Sequence, residues 1–148
     1  MRIGLLWCLG LWTIAFIKGT KSISIEDFGA IADEPSIDQA KANSDAIVRA
    51  LQSAHESESD KVVLVPSGQT YHVHMMSVSN LDGVTLQIEG TLVLNNNPEN
   101  YPQSKCDMLH LTDSKNIRIT GHGTIDGQVN DLRFQKSITN LQRISCFF

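Results

Sequence analysis

Basic residues are scarce in this chain. Its 148 residues carry 12 Lys and Arg against 16 Asp and Glu, a formal charge of −4. A nucleic-acid ligand needs a basic face to neutralise phosphate, so this balance argues against one. Cysteine is scarce as well. Three residues, Cys8, Cys106 and Cys146, are too few for a disulfide scaffold. No Asn-x-Ser/Thr triplet occurs, so no N-glycosylation site marks a surface loop. Hairpin signals are few: Asn-Gly is absent, and Asp-Gly occurs only at Asp82-Gly83 and Asp126-Gly127. Hydrophobic residues at 41% with charged residues at 19% exclude a disordered chain. The length limits it to one ordinary domain or part of one.

Charge is missing altogether from Ile3 to Ile17, between Arg2 and Lys18. Both tryptophans, Trp7 and Trp12, lie in that run. A membrane-spanning helix wants about 20 apolar residues. A basic start, a shorter apolar stretch and then small polar residues predict a secretory leader over 1–21, cut near Gly19 to Ser22. Its loss removes Arg2, Lys18 and Lys21 and no acidic residue, taking the formal charge from −4 to −7. Cys8 leaves with it. In an oxidising compartment Cys106 and Cys146 could pair, or stand as two unrelated cysteines.

Ile23-Ser24-Ile25 predicts a short strand and Phe28-Gly29-Ala30 a turn. Ser36 and Gln39 have the spacing of a capping box, which predicts a helix from Ser36 to about His55. Ile37, Ala40, Ile47, Val48, Leu51 and Ala54 would form its apolar face. The acidic run Glu56, Glu58 and Asp60 ends it as a solvated loop. Beyond Lys61 the period shortens to two. Val62 to Val65, then Tyr71 and Val73, then Val84, Leu86 and Ile88, then Leu92 and Leu94 predict strands. Ile117, Ile119 and Ile125 continue the pattern. The stretch Val84 to Leu92 aligns with Ile117 to Ile125 at a constant offset of 33 residues. Gly90 then matches Gly123, and Thr91 matches Thr124. Strands repeating around glycine corners predict a coil that stacks on itself, each turn covering its neighbour's inner face.

The motifs Phe28-Gly29-Ala30, Val63-Leu64-Val65-Pro66-Ser67-Gly68 and Tyr71 resemble the opening of pectin-lyase-like β-helix proteins. Gln87-Ile88-Glu89-Gly90-Thr91-Leu92 and Gly121-His122-Gly123-Thr124-Ile125-Asp126-Gly127-Gln128 narrow this. They resemble the early coils of polygalacturonases, glycoside hydrolase family 28, over about residues 23 to 128. The resemblance implies an all-β fold, a right-handed parallel β-helix (solenoid) with an N-terminal capping α-helix. Residues 22–128 would be the cap and early coils. Residues 129–148 would be a divergent tail, truncating the solenoid. The implied activity is inverting hydrolysis of α-1,4 links in pectin, with polygalacturonate as partner and no cofactor or metal. The protein would be extracellular, in or near a cell wall, and free of the membrane once the leader is cut. A non-catalytic glycan-associated β-helix and a pectin-lyase-type eliminase are the alternatives. The Gln-Ile-Glu-Gly-Thr-Leu motif disfavours the eliminase.

The family's catalytic motifs, in chain order, are Asn-Thr-Asp, Asp-Asp, Gly-His-Gly and Arg-Ile-Lys. Asp-Asp occurs nowhere in this chain, and neither does Asn-Thr-Asp. Asn43-Ser44-Asp45, the nearest string, falls on the helix and reads as helix surface. Gly121-His122-Gly123 matches one motif but runs straight into an early-coil corner, where the repeat sets Glu89 opposite His122. Arg118-Ile119-Thr120 lacks the lysine and precedes Gly-His-Gly, so Arg118 reads as an outward strand residue. His72 and His74 share a strand face without a third metal ligand at suitable spacing. Asp126 reads as a turn residue. No catalytic, cofactor or metal residue is therefore assigned. The tail ends in Ile144-Ser145-Cys146-Phe147-Phe148, without the polar cap that covers a natural β-helix end, so association is expected.

Overall fold

The computed structural model describes residues 21–95, 106–128 and 143–146. Residues 1–20, where a leader is expected, and most of the segment after 128 lie outside the described residues. The first element, β1 (Ile23–Ser24), turns at once into a 3₁₀ turn over Ile25–Phe28. Ser24 and Asp27 cap this turn reciprocally, and Gly29 ends it at φ 93°. Ile25 therefore belongs to the turn, not to the strand, and is buried.

Helix α1 spans Ile37–Glu56, with Ser36 as its N-cap accepting from the Gln39 N–H at 3.3 Å. The reciprocal half of the expected capping box is replaced by another contact. The Gln39 amide instead donates to the Asn43 side-chain oxygen at 2.8 Å. Ala40, Ala46, Ile47, Ala50, Leu51 and Ala54 bury the helix face, and Ile37 and Val48 are half-buried at its margin. The small alanines let α1 lie close against the strands. No described helix is long and apolar enough to cross a membrane.

The strands form parallel sheets beside this one helix. They are β2 (Val62–Val65), β3 (Thr70–Val73), β4 (Met76–Ser79), β5 (Thr85–Ile88), β6 (Thr91–Leu94), β7 (Cys106–Thr112), β8 (Arg118–Thr120), β9 (Thr124–Asp126) and β10 (Arg143–Cys146). The first sheet has the order β1-β2-β5-β8, the second β3-β6-β9 and the third β10-β7-β4. From β2 to β9 the chain visits the three sheets in rotation. Every ladder is parallel except β10 with β7.

The 33-residue offset is visible in the ladders. Leu86 pairs with Ile119, Leu92 with Ile125 and Met76 with Leu109. The repeat therefore extends back to β4 and β7, where the sequence pattern is silent. Met76 to Ser79 has only two apolar positions, and Cys106 to Thr112 breaks alternation at Met108-Leu109.

Val63, Val65, Val84, Leu86, Ile88, Leu92 and Ile119 are buried between the sheets and α1. Ile117 and Ile125, expected inside, are only half-buried and pack on the core from its margin. Leu86 retains 2% of its exposure and sits between Val63 and Ile119. Leu86→Ala should cost about 3 kcal/mol, the usual transfer and cavity penalty for a buried leucine. Urea denaturation followed by far-ultraviolet circular dichroism measures it.

Candidate functional site

The corner at Gly121-His122-Gly123 is built by what lies beneath it. Gly121 adopts φ +121°, and a Cβ there would collide with the Ile88 carbonyl. A Cβ on Gly123 would collide with the Gly90 carbonyl, and one on Gly90 with that of Pro66. These are backbone-on-backbone contacts between successive corners. The Gly123 N–H donates to the Ile88 carbonyl at 2.8 Å, and the Thr124 N–H to Gly90 at 3.0 Å. Only glycine allows so close an approach. The glycines of the Gly-His-Gly string therefore serve the stacking of corners.

His122 projects from that corner into solvent, its side chain 95% exposed. Its Nδ1 lies 3.2 Å from Glu89 Oε2, and its backbone N–H lies 3.3 Å from the same oxygen. The Gln87 amide donates to Glu89 Oε1 at 2.7 Å. The Gln87 hydrogen bond first, and then His122, hold the Glu89 carboxyl below its ordinary range. Glu89 is thus ionised at neutral pH, with both oxygens engaged. The repeat offset alone had placed Glu89 opposite His122. The added contact of Gln87, on β5, reaches Glu89 just beyond the end of that strand, two residues along.

Asn43 and Ser44 overturn their reading as helix surface. Asn43 is fully buried, and only Asp45 of the triplet faces solvent. The Asn43 amide donates to the carbonyls of Ile31 and His72, both at 2.9 Å. Its oxygen accepts from the Ile31 N–H and from Gln39, both at 2.8 Å. The Ser44 hydroxyl donates to the His74 carbonyl at 2.9 Å and lies 2.8 Å from the His74 N–H. These two side chains join α1 to the backbone around β3. No periodicity argument finds them, because two polar residues on an apolar helix stripe look like a break in it.

His72 lies in β3, but His74 lies beyond that strand, and both are half-buried. The shared face expected for them ends at Val73. No group of three or more His, Cys, Asp or Glu side chains able to hold a metal occurs among the described residues.

Asp126 is exposed on β9, and its Oδ1 accepts from the Gln128 N–H at 2.8 Å, a turn contact. Arg118 is exposed on β8 opposite Thr85. Glu56 and Glu58 are exposed, and Asp60 is half-buried with its N–H held by Ser57 Oγ. A small gap of about 10 Å³ among the described core residues is lined by Ile47, Met76, Leu86 and Leu92 among others. Its lining is apolar and it offers nothing to a charged sugar.

One further polar contact lies outside these candidates. The buried Tyr71 hydroxyl donates to Glu26 Oε1 at 2.7 Å and also abuts the Gln69 amide oxygen. Burial first, and then the Glu26 carboxylate, raise the Tyr71 hydroxyl above its usual range, so it stays protonated. It anchors the 3₁₀ turn to β3. Tyr71→Phe should cost about 1–3 kcal/mol, as for a lost hydrogen bond to a charged group, and thermal unfolding measures that.

No protein-family model and no solved structure matches this chain.

Proposed function

We propose that these residues form the capped opening coils of a right-handed parallel β-helix of the polygalacturonase type, a secreted pectin-directed scaffold that carries no hydrolytic pair of its own. The observation that supports this reading most is the rotation of the chain through three parallel sheets under stacked glycine corners.

The chemistry supports the second half of the reading. Inverting hydrolysis needs a protonated carboxyl as acid and a carboxylate as base, about 6.5–9.5 Å apart. Glu89 is held ionised and so has no proton to give. Asp126 is committed to a backbone turn. Neither has a paired carboxylate motif beside it, and Asp-Asp is absent from the whole sequence.

The purified 148-residue protein should release no detectable reducing ends from polygalacturonate. Activity that survives purification and vanishes in His122→Ala would make the Gly121-His122-Gly123 corner catalytic. Loss only in Asp126→Asn would assign the chemistry to β9 instead. A crystal structure with left-handed winding between β2 and β9 would remove the β-helix assignment itself.

A further inference from the structure

The one antiparallel ladder of the described residues joins the tail to the third sheet. Strand β10 pairs with β7, setting Arg143 opposite His110, Ile144 opposite Leu109 and Cys146 opposite Cys106. The register shifts by one residue between Ile144 and Ser145, where a bulge lies. Without that shift Cys146 would not stand across from Cys106. Facing residues in an antiparallel pair have Cα atoms about 4.5 or 5.5 Å apart, according to which kind of pair they form. Both separations lie in the range of about 4.4–6.8 Å that a disulfide spans.

We propose that Cys106 and Cys146 are a disulfide pair that fastens β10 across the edge of β7. The step requires a small-molecule disulfide such as oxidised glutathione, or a protein disulfide donor. One cysteine thiolate attacks the donor and expels one donor thiolate, leaving a mixed disulfide. The second cysteine thiolate then attacks the protein sulfur and expels the other donor thiolate. Two protons leave the cysteines, and two electrons pass to the donor, which ends as two thiols. The bridge closes a loop from 106 to 146, long enough to restrict the unfolded chain strongly. It also holds a strand over an edge that would otherwise offer unpaired backbone groups to another chain.

The full chain, refolded with reduced and oxidised glutathione, is trapped by alkylation and digested without reduction. A peptide joining Cys106 to Cys146 is expected, separating into two on reduction, with Cys8 alkylated. Cys146→Ser should leave Cys106 open to alkylation, and the bridged protein should unfold at higher urea than its reduced form. Free alkylation of both cysteines in the unaltered, folded protein would overturn the proposal. A bridge from Cys8 to either of them, or between two chains, would overturn it equally. The mapping needs no variant, so a folding defect in Cys146→Ser does not obscure the result.

Discussion

Gly121→Ala should destabilise the protein by about 4 kcal/mol or more, the largest effect expected of any single methyl group in this chain. Three costs combine. The φ of +121° disfavours any residue with a Cβ, at about 1–2 kcal/mol. The new carbon falls on the Ile88 backbone, which has no flexible end to move aside. Relief of that clash lifts the corner away from the one below and breaks its hydrogen bonds to Ile88 and Gly90, each worth about 1 kcal/mol. Gly83→Ala separates the first cost from the others. Gly83 also has positive φ, at +72°, but a Cβ there meets nothing within 4 Å. It should cost only about 1–2 kcal/mol. Equal losses for the two variants in urea titrations would refute the stacked-corner account.

Asn43→Ala should cost about 4 kcal/mol, although the residue lies on a helix and alanine is the better helix former. The gain in propensity is a few tenths of a kcal/mol. Against it stand the Ile31 N–H, the Ile31 carbonyl and the His72 carbonyl, all left without their partner. An unsatisfied buried polar group costs about 1–3 kcal/mol. Asp45→Ala, two positions along and exposed, should stay within about 0.5 kcal/mol of the unaltered protein. Thermal and urea unfolding of the pair, read by circular dichroism, gives the difference. A near-neutral Asn43→Ala would mean that the loop at Ile31 is not tied to α1 in solution.

Much of the framework is legible along the chain. Ser36 before an apolar helical stripe predicts α1 to within a residue at each end. Alternation predicts β2, β3 and β5 because each has one face on the core and one half-exposed, and it finds β6 through Leu92 and Leu94 although Val93 between them is buried too. The offset of 33 predicts the pairing of Leu86 with Ile119, since two segments of equal spacing that both bury their apolar residues reach the same register. The preceding circuit escapes notice. Val63 meets Leu86 across 23 positions and Tyr71 meets Leu92 across 21, so the connections differ in length and no constant offset exists. Stacking demands equal strands, while the corners between them absorb insertions.

The candidate site divides in the same way. Local sequence determined that the chain makes a capped helix followed by short strands with glycine corners, because capping, alternation and left-handed backbone act over a few residues. It also determined that no Asp-Asp string occurs among the 148 residues. Tertiary structure decided what the polar residues do. Asn43 and Ser44 became internal ties because α1 presses them against the backbone of His72 in β3 and of His74 just past it, 29 and 30 positions away. Glu89 acquired its contact with His122 because the next corner sets that side chain over it. Cys146 came to face Cys106 through one bulge in an antiparallel ladder. Each of these depends on groups far apart in the chain meeting in one register, and no local preference encodes which distant partner a polar side chain will find.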